Sequence, residues 1–321
     1  MIYISVIIPI YKAEDYIERC ARSLMEQTMK EGIEFLFIND CTPDNSMAIL
    51  RNVIVDYPER RHQVRVIENR INLGVSATRK IGVKEAKGEY IGWCDADDWC
   101  EVNMYEKMFT STNNQTKDIV VCDYWVEKGQ NSECIKWVNC STPQDCIINM
   151  WKGYYLPGSF WQQICRKSIL QKSIEMIKEV NYSEDVYATI LSCYYAHTIS
   201  YVNVALYHYN QNNLSSLVHN IQYSYNDWIC QKMNIETIVR LLYQDGGWKK
   251  YHVACNALKH SRKVMYRSSF KTITDYYYTF REAYKDVNKF FFTSERYKLR
   301  TFLVYNCFFL FWLKFHNIWN K

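Results

Sequence analysis

The first hundred residues alternate between two hydrophobic periods, and this alternation restricts the fold more than any other feature of the sequence. Short apolar runs that suit β-strands are separated by segments with the spacing of amphipathic helices. The apolar runs are Ser5–Ile10, Ile33–Ile38, Val64–Ile67 and Tyr90–Cys94, and the helical segments are Tyr16–Gln27, Ser46–Val55 and Ser76–Ala86. Strand–helix alternation of this length predicts an α/β fold with a mostly parallel, doubly wound sheet.

Polar side chains follow each of the four predicted strands. The four clusters are Pro9-Ile-Tyr11, Asn39-Asp40, Asn69-Arg-Ile-Asn72-Leu-Gly74 and Asp95-Ala-Asp97-Asp98. One such cluster is typical of a solvated loop, but open parallel sheets bind ligands outside the carboxyl ends of their strands. The four together predict a single site for a polar ligand. The sequence contains no Gly-x-Gly-x-x-Gly after its first strand and no Gly-x-x-x-x-Gly-Lys-Ser/Thr. We therefore expect side chains and a metal to hold that ligand.

The fourth cluster places three carboxylates, those of Asp95, Asp97 and Asp98, directly behind an apolar strand. Carboxylates this close repel one another unless a cation or hydrogen-bond donors neutralise them. Mg²⁺ is commonly held by one or two carboxylates together with substrate phosphates. The alternative is a solvated turn whose aspartates cap the next helix. The Asp-x-Asp spacing alone does not decide between the two.

Four motifs, read in order, resemble a known family. They are Ser-Val-Ile-Ile-Pro9-Ile-Tyr11-Lys-Ala-Glu14, Phe-Ile-Asn39-Asp40-Cys-Thr-Pro-Asp44-Asn-Ser46, Asn72-Leu-Gly74-Val-Ser-Ala-Thr-Arg79 and Gly88-Glu-Tyr-Ile-Gly-Trp-Cys-Asp95-Ala-Asp97-Asp98. As a set they resemble the family 2 glycosyltransferases of the GT-A fold, which build bacterial surface polysaccharides. The resemblance is dense over about the first hundred residues and continues more weakly to about residue 220.

The resemblance implies a nucleotide-diphosphate sugar donor, usually a UDP-sugar, and a divalent cation, Mg²⁺ or Mn²⁺. The donor-binding positions that it implies are Pro9, Tyr11, Glu14, Asp40, Asn72, Arg79, Asp95 and Ala96. The first three would line the base and ribose, and Arg79 would lie beside the nucleotide. Asp95 would approach the ribose or sugar, and Asp97 would ligate the metal. Many relatives have Asp-Asp-Gly-Ser where this chain has Asn39-Asp40-Cys41-Thr42, so the uracil contact is assigned to Asp40.

The run Asn181-Tyr-Ser183-Glu184-Asp185 matches the Glu-Asp pair that relatives carry ahead of a helix. An acceptor hydroxyl is a poor nucleophile and needs a base within hydrogen-bond reach. We therefore expect Asp185 to be the general base, with Glu184 in support, in the inverting displacement that the family implies. The alternative is helix capping by Ser183, with both carboxylates favourable in the first helical turn. The two interpretations are compatible.

Two further segments resemble parts of the family's site. The polar run 207–216 resembles the loop that closes over the diphosphate, and in it His208 is either a phosphate contact or a packed residue. Trp161 and Gln162 lie where relatives shape the acceptor pocket, although a core tryptophan is an equal alternative. The predicted organisation is a catalytic domain over 1–220, divided into a nucleotide-sugar half (1–100) and an acceptor half (101–220). A helical C-terminal extension would follow over 221–321.

The excess positive charge lies at the C-terminal end of the chain. Residues 281–321 carry eight Lys/Arg and three Asp/Glu, and they include the apolar stretch Thr301–Leu313. About 20 residues are needed to cross a bilayer, so this shorter stretch predicts an amphipathic helix on an anionic membrane surface. A core-packing helix is the alternative. Nucleic acid is not an expected partner, because the basic residues are few and attached to hydrophobic sequence.

The 13 cysteines form an odd set without a Cys-x-x-Cys pair, which predicts reduced, mostly buried thiols in a cytosolic protein.

The first function predicted is a metal-dependent glycosyltransferase that extends a glycan or lipid-linked glycan of a capsule, lipopolysaccharide or exopolysaccharide. It would act peripherally at the cytosolic face of the membrane, with a homo-oligomer left open. The alternatives are a catalytically silent sugar-nucleotide-binding subunit and a nucleotidyltransferase. The latter normally has a basic, glycine-rich loop after its first strand, which this chain lacks.

Overall fold

A computed structural model of the chain describes residues 1–137, 140–152, 159–179 and 184–213, together with 230, 233–234, 237–238 and 241. The chain divides into two compact units. The first comprises Met1–Ile147 with Tyr155–Gln231, and the second comprises Ile148–Tyr154 with Lys232–Lys321. In the second unit the described residues are helical. Most of the predicted C-terminal extension and all of its basic, aromatic end lie outside the described residues. The predicted domain boundaries stay a prediction.

The described part of the first unit alternates strands and helices. The strands are β1 (Ile4–Ile10), β2 (Ile33–Asn39), β3 (Val64–Glu68), β4 (Tyr90–Trp93), β5 (Trp99–Cys100), β6 (Ile119–Lys128), β7 (Asn131–Ile135), β8 (Gln163–Arg166) and β9 (Ile199–Asn210). The helices are α1 (Ile17–Met25), α2 (Ser46–Asp56), α3 (Val75–Glu85), α4 (Met104–Thr110), α5 (Pro143–Lys152), α6 (Lys167–Met176) and α7 (Glu184–Tyr195). Two 3-10 turns, Pro58–Gln63 and Phe160–Gln162, complete the set. All seven elements predicted in the first hundred residues are present, with ends shifted by no more than two residues.

The strands form one sheet in the order β3-β2-β1-β4-β8-β6-β9-β5, with β7 paired to β6. The first four strands are parallel to one another, as predicted, so their carboxyl ends meet at one edge. From β5 onward the sheet is mixed: β8 lies antiparallel to β4 and to β6, and β5 antiparallel to β9. The pairing of β5 with β9 places Trp99 and Cys100, which follow the acidic run, beside His208 and Tyr207 near the end of β9.

Side chains of the central strands form the core of the first unit. The strands β1 and β2 are buried along nearly their whole length, and β4 is buried at every residue. Such burial is expected for parallel strands covered on both faces. On one face α3 lies so close that a Cβ at Gly82 would stand 2.4 Å from Cγ2 of Ile7. Glycine at this position therefore lets the helix approach the sheet and carry Arg79 over the end of β4.

The described cysteines are free thiols, most of them buried, in agreement with the prediction of reduced, packed side chains. In the part of the chain that the structure describes, no helix has both the length and the apolar character needed to cross a bilayer.

Candidate active site

The loop after β2 is anchored by a buried aspartate, Asp40. Its Oδ1 accepts hydrogen bonds from the backbone N–H of Leu73 at 2.8 Å and from Nδ2 of Asn69 at 2.9 Å, and its Oδ2 accepts one from the N–H of Gly74 at 2.8 Å. The Nδ2 of Asn72 donates to the Asp40 carbonyl at 3.2 Å. Asp40 and Asn72 therefore tie the end of β2 to the start of α3, while the uracil contact expected of Asp40 stays a prediction.

Backbone N–H groups join the loop after β1 to the start of α2. The N–H of Lys12 donates to Oγ1 of Thr42 at 2.7 Å, and the N–H of Glu14 donates to Oδ2 of Asp44 at 3.0 Å. The Glu14 carboxylate accepts in return from the N–H of Asn45 at 3.0 Å. Hydrogen bonds to Ser46 and Thr42 lower the pKa of the Asp44 carboxyl, outweighing the burial that would raise it.

Two of the residues that are expected to contact the base and ribose, Pro9 and Tyr11, are at least partly exposed at this edge of the sheet. Pro9 is half-buried at the end of β1, and Tyr11 is 45% exposed. Lys12 and Cys41 adopt left-handed backbone with φ of 52° and 56°. Glycine favours that region, and glycine is also the residue that many relatives carry in place of Cys41.

The three carboxylates behind β4 have different surroundings. Asp95 keeps 28% of its side chain exposed and pairs with Arg79. Asp98 is buried, and it accepts hydrogen bonds from the hydroxyl of Tyr207 at 2.7 Å and from the backbone N–H of Asn210 at 2.8 Å. Burial and the neighbouring charges raise the pKa of Asp98 well above its usual value. Asp98 therefore fastens the acidic turn to β9, whereas Asp95 and Asp97 are less deeply buried.

Asp97 is half-buried and only partly compensated. Its Oδ2 accepts a hydrogen bond from Nδ2 of Asn213 at 2.8 Å, and its backbone carbonyl accepts one from Nδ2 of Asn210 at 3.0 Å. Burial and the charge of Asp95 raise the pKa of the Asp97 carboxyl. A carboxylate whose charge is disfavoured in this way is suited to a hard cation, which would relieve the repulsion.

Among the described residues there is no group of three or more histidine, cysteine or acidic side chains placed to enclose a metal ion. A magnesium-type site does not need one, because such ions keep several waters and take one or two carboxylates plus substrate phosphates. The residues that are present fit this arrangement, with Asp97 as the protein ligand.

Arg79 lies at the centre of the charged groups on the other side of the acidic turn. Its Nη2 donates to Oδ1 of Asp95 at 2.7 Å, and its Nη1 donates to the carboxylate of Glu184. The guanidinium carbon lies 5.8 Å from the ring centroid of Trp93 and 5.6 Å from that of Phe160. Although burial opposes the charge, the surrounding carboxylates raise the pKa of Arg79. Its expected contact with the nucleotide stays a prediction.

The predicted catalytic pair forms the first two residues of α7. Glu184 is buried against Arg79, and burial raises the pKa of its carboxyl even though the guanidinium opposes the shift. Asp185 is half-buried, and its Oδ1 accepts a hydrogen bond from the N–H of Val186 at 2.8 Å. Burial and the charge of Glu184 raise the pKa of Asp185 to about 7. A general base that titrates near neutral pH suits proton abstraction under physiological conditions.

His208 is not among the partners of Arg79, and it stacks on Trp99, which follows the acidic turn. Its ring stacks on Trp99 with centroids 4.9 Å apart, and the guanidinium of Arg19 lies 3.4 Å from the Trp99 ring centroid. The ring nitrogens face carboxylates, with Nδ1 2.8 Å from Glu127 and Nε2 3.1 Å from Glu101. Of the two interpretations of His208, these contacts support the packed residue.

The pair Trp161 and Gln162 is buried as well. Trp161 stacks on Tyr207 with ring centroids 4.6 Å apart and on Tyr209 with centroids 5.5 Å apart. This burial agrees with the core alternative for Trp161.

The structure thus gathers the predicted residues into two neighbouring groups. One group comprises the loops after β1 and β2 with their partners, and the other contains Asp95, Arg79, Glu184 and Asp185. Two supporting residues had no predicted role of their own, namely Asn210 and Asn213, which hold Asp97. The signal that could have identified them was the resemblance of the run 207–216 to a diphosphate loop, because a loop over the diphosphate must lie near a metal-binding aspartate.

The glycosyl transferase family 2 model matches residues 5–173, more than half of the chain. Most of the sheet and the carboxylates that follow β4 lie within the matched residues. This chain is a member of glycosyl transferase family 2, as its motifs predict.

Two relatives illustrate the similarity. EpsH of Bacillus subtilis, which is named as a glycosyltransferase, is 30% identical over 227 residues, covering 68% of this chain and 63% of EpsH. A poly(ribitol-phosphate) beta-glucosyltransferase of Bacillus spizizenii is 36% identical over 120 residues, covering 37% of this chain and 18% of that protein. The chain thus spans less than two thirds of the length of either relative.

A solved structure supports the fold. S. aureus TarS 1–349, crystallised in complex with UDP-GlcNAc, aligns with a TM-score of 0.67 over 89% of this chain and 82% of that chain, at 18% sequence identity. This likeness confirms the predicted GT-A type of α/β fold.

Proposed function

We propose that the protein transfers a sugar from a nucleotide-diphosphate sugar, a UDP-sugar, to a hydroxyl of a glycan or lipid-linked glycan, with inversion at the anomeric carbon. The observation that carries the proposal is the placement of Asp95 and Asp97 at the end of β4, beside Arg79, Glu184 and Asp185. The groups that we propose for donor binding and for base catalysis thus lie at the same edge of the sheet. A UDP-sugar as donor is further supported by the family resemblance and by the UDP-GlcNAc bound to TarS.

The residues at this edge are proposed to bind the nucleotide and to stabilise the leaving group. The loops after β1 and β2 bind the nucleotide through Pro9, Tyr11, Glu14 and Asp40. Asp97 would hold Mg²⁺ or Mn²⁺, and the ion would offset the negative charge on the departing diphosphate. Asn213 keeps the Asp97 carboxylate oriented. The residues of this chain therefore fix the leaving group before any bond is broken.

The remaining step belongs to Asp185. Its carboxylate takes the proton of the acceptor hydroxyl while that oxygen attacks the anomeric carbon, and the bond from this carbon to the nucleotide diphosphate breaks. A single base on the face opposite the leaving group gives inversion. Glu184 stays buried and bonded to Arg79, so it supports Asp185 without exchanging a proton with the acceptor.

The proposed acceptor and location rest on the family resemblance and on one named relative. The family builds surface polysaccharides, and one relative is named for glucosyl transfer to poly(ribitol phosphate), so the proposed acceptor belongs to a capsule, lipopolysaccharide or exopolysaccharide. A lipid-linked acceptor would place the protein on the cytosolic face of the inner membrane. The basic and aromatic residues 281–321 are the proposed contact with that surface.

Turnover of the donor tests the proposal without a known acceptor, because water can replace the acceptor hydroxyl. We would measure nucleotide release from UDP-glucose, UDP-galactose, UDP-GlcNAc and GDP-mannose with Mn²⁺. We would compare the parent with Asp97→Asn, Asp185→Asn and the control Asp56→Asn, whose carboxylate lies in a surface ion pair with Arg22. Release from a UDP-sugar that falls at least a hundredfold in the first two variants and persists in the control supports the proposal.

Two results would overturn the proposal. Equal release by the parent and by both site variants would remove the roles of Asp97 and Asp185. UDP binding without turnover of any donor would favour the alternative of a catalytically silent sugar-nucleotide-binding subunit.

A further inference from the structure

Both terminal nitrogens of the Arg79 guanidinium already donate to carboxylates. Nη1 and Nη2 donate to Glu184 and Asp95, and the rings of Trp93 and Phe160 lie within 6 Å of the guanidinium carbon. Its Nε is buried and finds no hydrogen-bond partner among the described residues. A guanidinium that is 9% exposed and already bonded to two carboxylates is poorly placed to contact a nucleotide.

The two carboxylates that Arg79 holds come from different parts of the fold. Asp95 follows β4 in the half that carries the donor motifs, and Glu184 opens α7, 105 residues further along than Arg79. Arg79 itself lies on α3, which packs on the sheet through Gly82. One side chain thus connects three elements, and the residue after Glu184 is the proposed base.

We propose that Arg79 is a positioning residue: it holds Glu184 and thereby fixes the start of α7, so that Asp185 faces the donor site. The inference rests on the proposed function of Asp185. Arg79 acts through Glu184 and by its charge, and it does not touch the reacting atoms. A planar guanidinium bonded at two nitrogens fixes direction as well as distance, which an ammonium cannot do.

The electrostatic surroundings of Asp185 give the proposal a measurable consequence. The charged groups that act on Asp185 are Glu184, Arg79 and Asp95. The other elements that pack against α7 add little charge near Asp185. In α6, Lys172 lies over the ring of Tyr195, the last residue of α7 and thus at its opposite end. The turn Phe160–Gln162 carries no titratable side chain. Removing the cation leaves carboxylates alone around Asp185, so its titration moves to higher pH.

The test compares Arg79→Gln, which removes the charge, with Arg79→Lys, which keeps the charge and loses the two-point geometry. The control is Lys80→Gln on the same helix, because Lys80 pairs with Glu179 at 3.3 Å and does not contact Glu184. Carboxyl ¹³C NMR of full-length protein labelled at Asp and Glu, assigned with Asp185→Asn, reports the titration of Asp185. Nucleotide release from the UDP-sugar and UDP affinity by calorimetry complete the set.

We expect Arg79→Gln to raise the titration midpoint of Asp185 by about one pH unit or more, and to move the acid limb of turnover in step. Arg79→Lys should leave the midpoint near that of the parent and lower turnover about 10- to 100-fold, the scale of lost supporting contacts. Both variants should bind UDP within about threefold of the parent. Lys80→Gln should match the parent throughout.

A double variant tests the route through Glu184. If Arg79 acts through Glu184, the losses in turnover of Arg79→Lys and Glu184→Gln do not multiply, and the double variant is no worse than the poorer single one. Glu184→Gln also serves if the Arg79 variants fail to fold, because it removes the same link from the other side and should lower turnover with UDP affinity kept.

Three results would overturn the inference: an unchanged Asp185 midpoint in folded Arg79→Gln, a loss of UDP affinity above tenfold with turnover at saturation kept, or losses that multiply in the double variant. The failure of the proposed function is distinguishable from these. It would show as full turnover in Asp185→Asn, whatever the Arg79 variants do.

Discussion

Asp97 and Asn213 are joined by a hydrogen bond of 2.8 Å across 116 residues of sequence. The amide is a supporting contact for a carboxylate that is proposed to bind the metal, and the loss of such contacts weakens metal affinity about 10- to 100-fold. We therefore expect Asn213→Ala to raise the Mn²⁺ concentration needed for nucleotide binding by at least tenfold. Calorimetric titration of Mn²⁺ in the presence of UDP measures it.

The matched control for that prediction is Asn131→Ala, which removes an exposed asparagine at the hairpin between β6 and β7. It should bind Mn²⁺ as the parent does. Equal affinities in Asn213→Ala and the control would show that the Asn213 contact does not support the metal ligand.

Asp40 should contribute to folding as well as to the site. Three donors, the N–H groups of Leu73 and Gly74 and the side chain of Asn69, lose their acceptor in Asp40→Ala. Unpaired donors near the protein interior are costly, so we expect the free energy of unfolding to fall by about 2 to 3 kcal/mol. Urea unfolding measures it, with Asp56→Asn as a surface control. An unchanged midpoint in Asp40→Ala would contradict the anchoring role.

The same substitution should have opposite effects at Cys41 and Cys134, which are both exposed. Cys41 has φ of 56°, where a Cβ is strained, so Cys41→Gly should raise the free energy of unfolding by about 0.5 to 1 kcal/mol. Cys134 lies in the strand β7, so Cys134→Gly should lower it by about 0.5 to 1 kcal/mol. Thermal unfolding of the two variants side by side gives both signs. Destabilisation by both would show that the Cys41 backbone is not under strain.

The pKa of Asp185, raised to about 7 by burial and Glu184, predicts the pH dependence of turnover. A general base works when it is deprotonated, so nucleotide release should rise with pH and level off above about 7. Asp185→Asn should be almost inactive, without that rise. A pH–rate profile that is flat between pH 5 and 8, in a parent protein that stays folded, would contradict the assignment of Asp185 as the base.

Stability should change with pH in the opposite direction. A carboxyl whose pKa is higher in the folded state than its unfolded value of about 3.9 binds more protons when folded. The stability that it contributes is therefore present at low pH and is lost as pH rises towards about 7. Above pH 7, Asp185→Asn should consequently exceed the parent in free energy of unfolding by about 1 to 2 kcal/mol. A less stable variant at that pH would contradict it.

Much of the fold was predictable because its first half is built from local signals. The apolar runs and helical spacing of the first hundred residues locate all seven elements there, and parallel strands follow from their alternation. The antiparallel pairing of β5 with β9 was not predictable. The strand β5 has only two residues, Trp99–Cys100, and its partner His208 lies 109 residues away, so no local hydrophobic pattern indicates the pairing.

The residues of the proposed site come from the sequence, and their contacts come from the structure. The position of Asp97 after an apolar strand predicts a ligand-site residue without a structure. The partners of Arg79 were not predictable, since the ion pair with Glu184 depends on how α7 packs against α3. A sequence motif shows which residues share a site, and packing determines which of them face the ligand.

The most direct test of the account is thermal unfolding of the full chain with UDP, GDP or CDP, each with and without Mn²⁺. A ligand at a hundred times its dissociation constant stabilises by about 2.7 kcal/mol, which moves the midpoint by several degrees. We expect a shift with UDP that requires Mn²⁺, disappears in Asp97→Asn and persists in Asp56→Asn. No shift with any nucleotide, or an equal shift in Asp97→Asn, would contradict a metal-bound donor at Asp97.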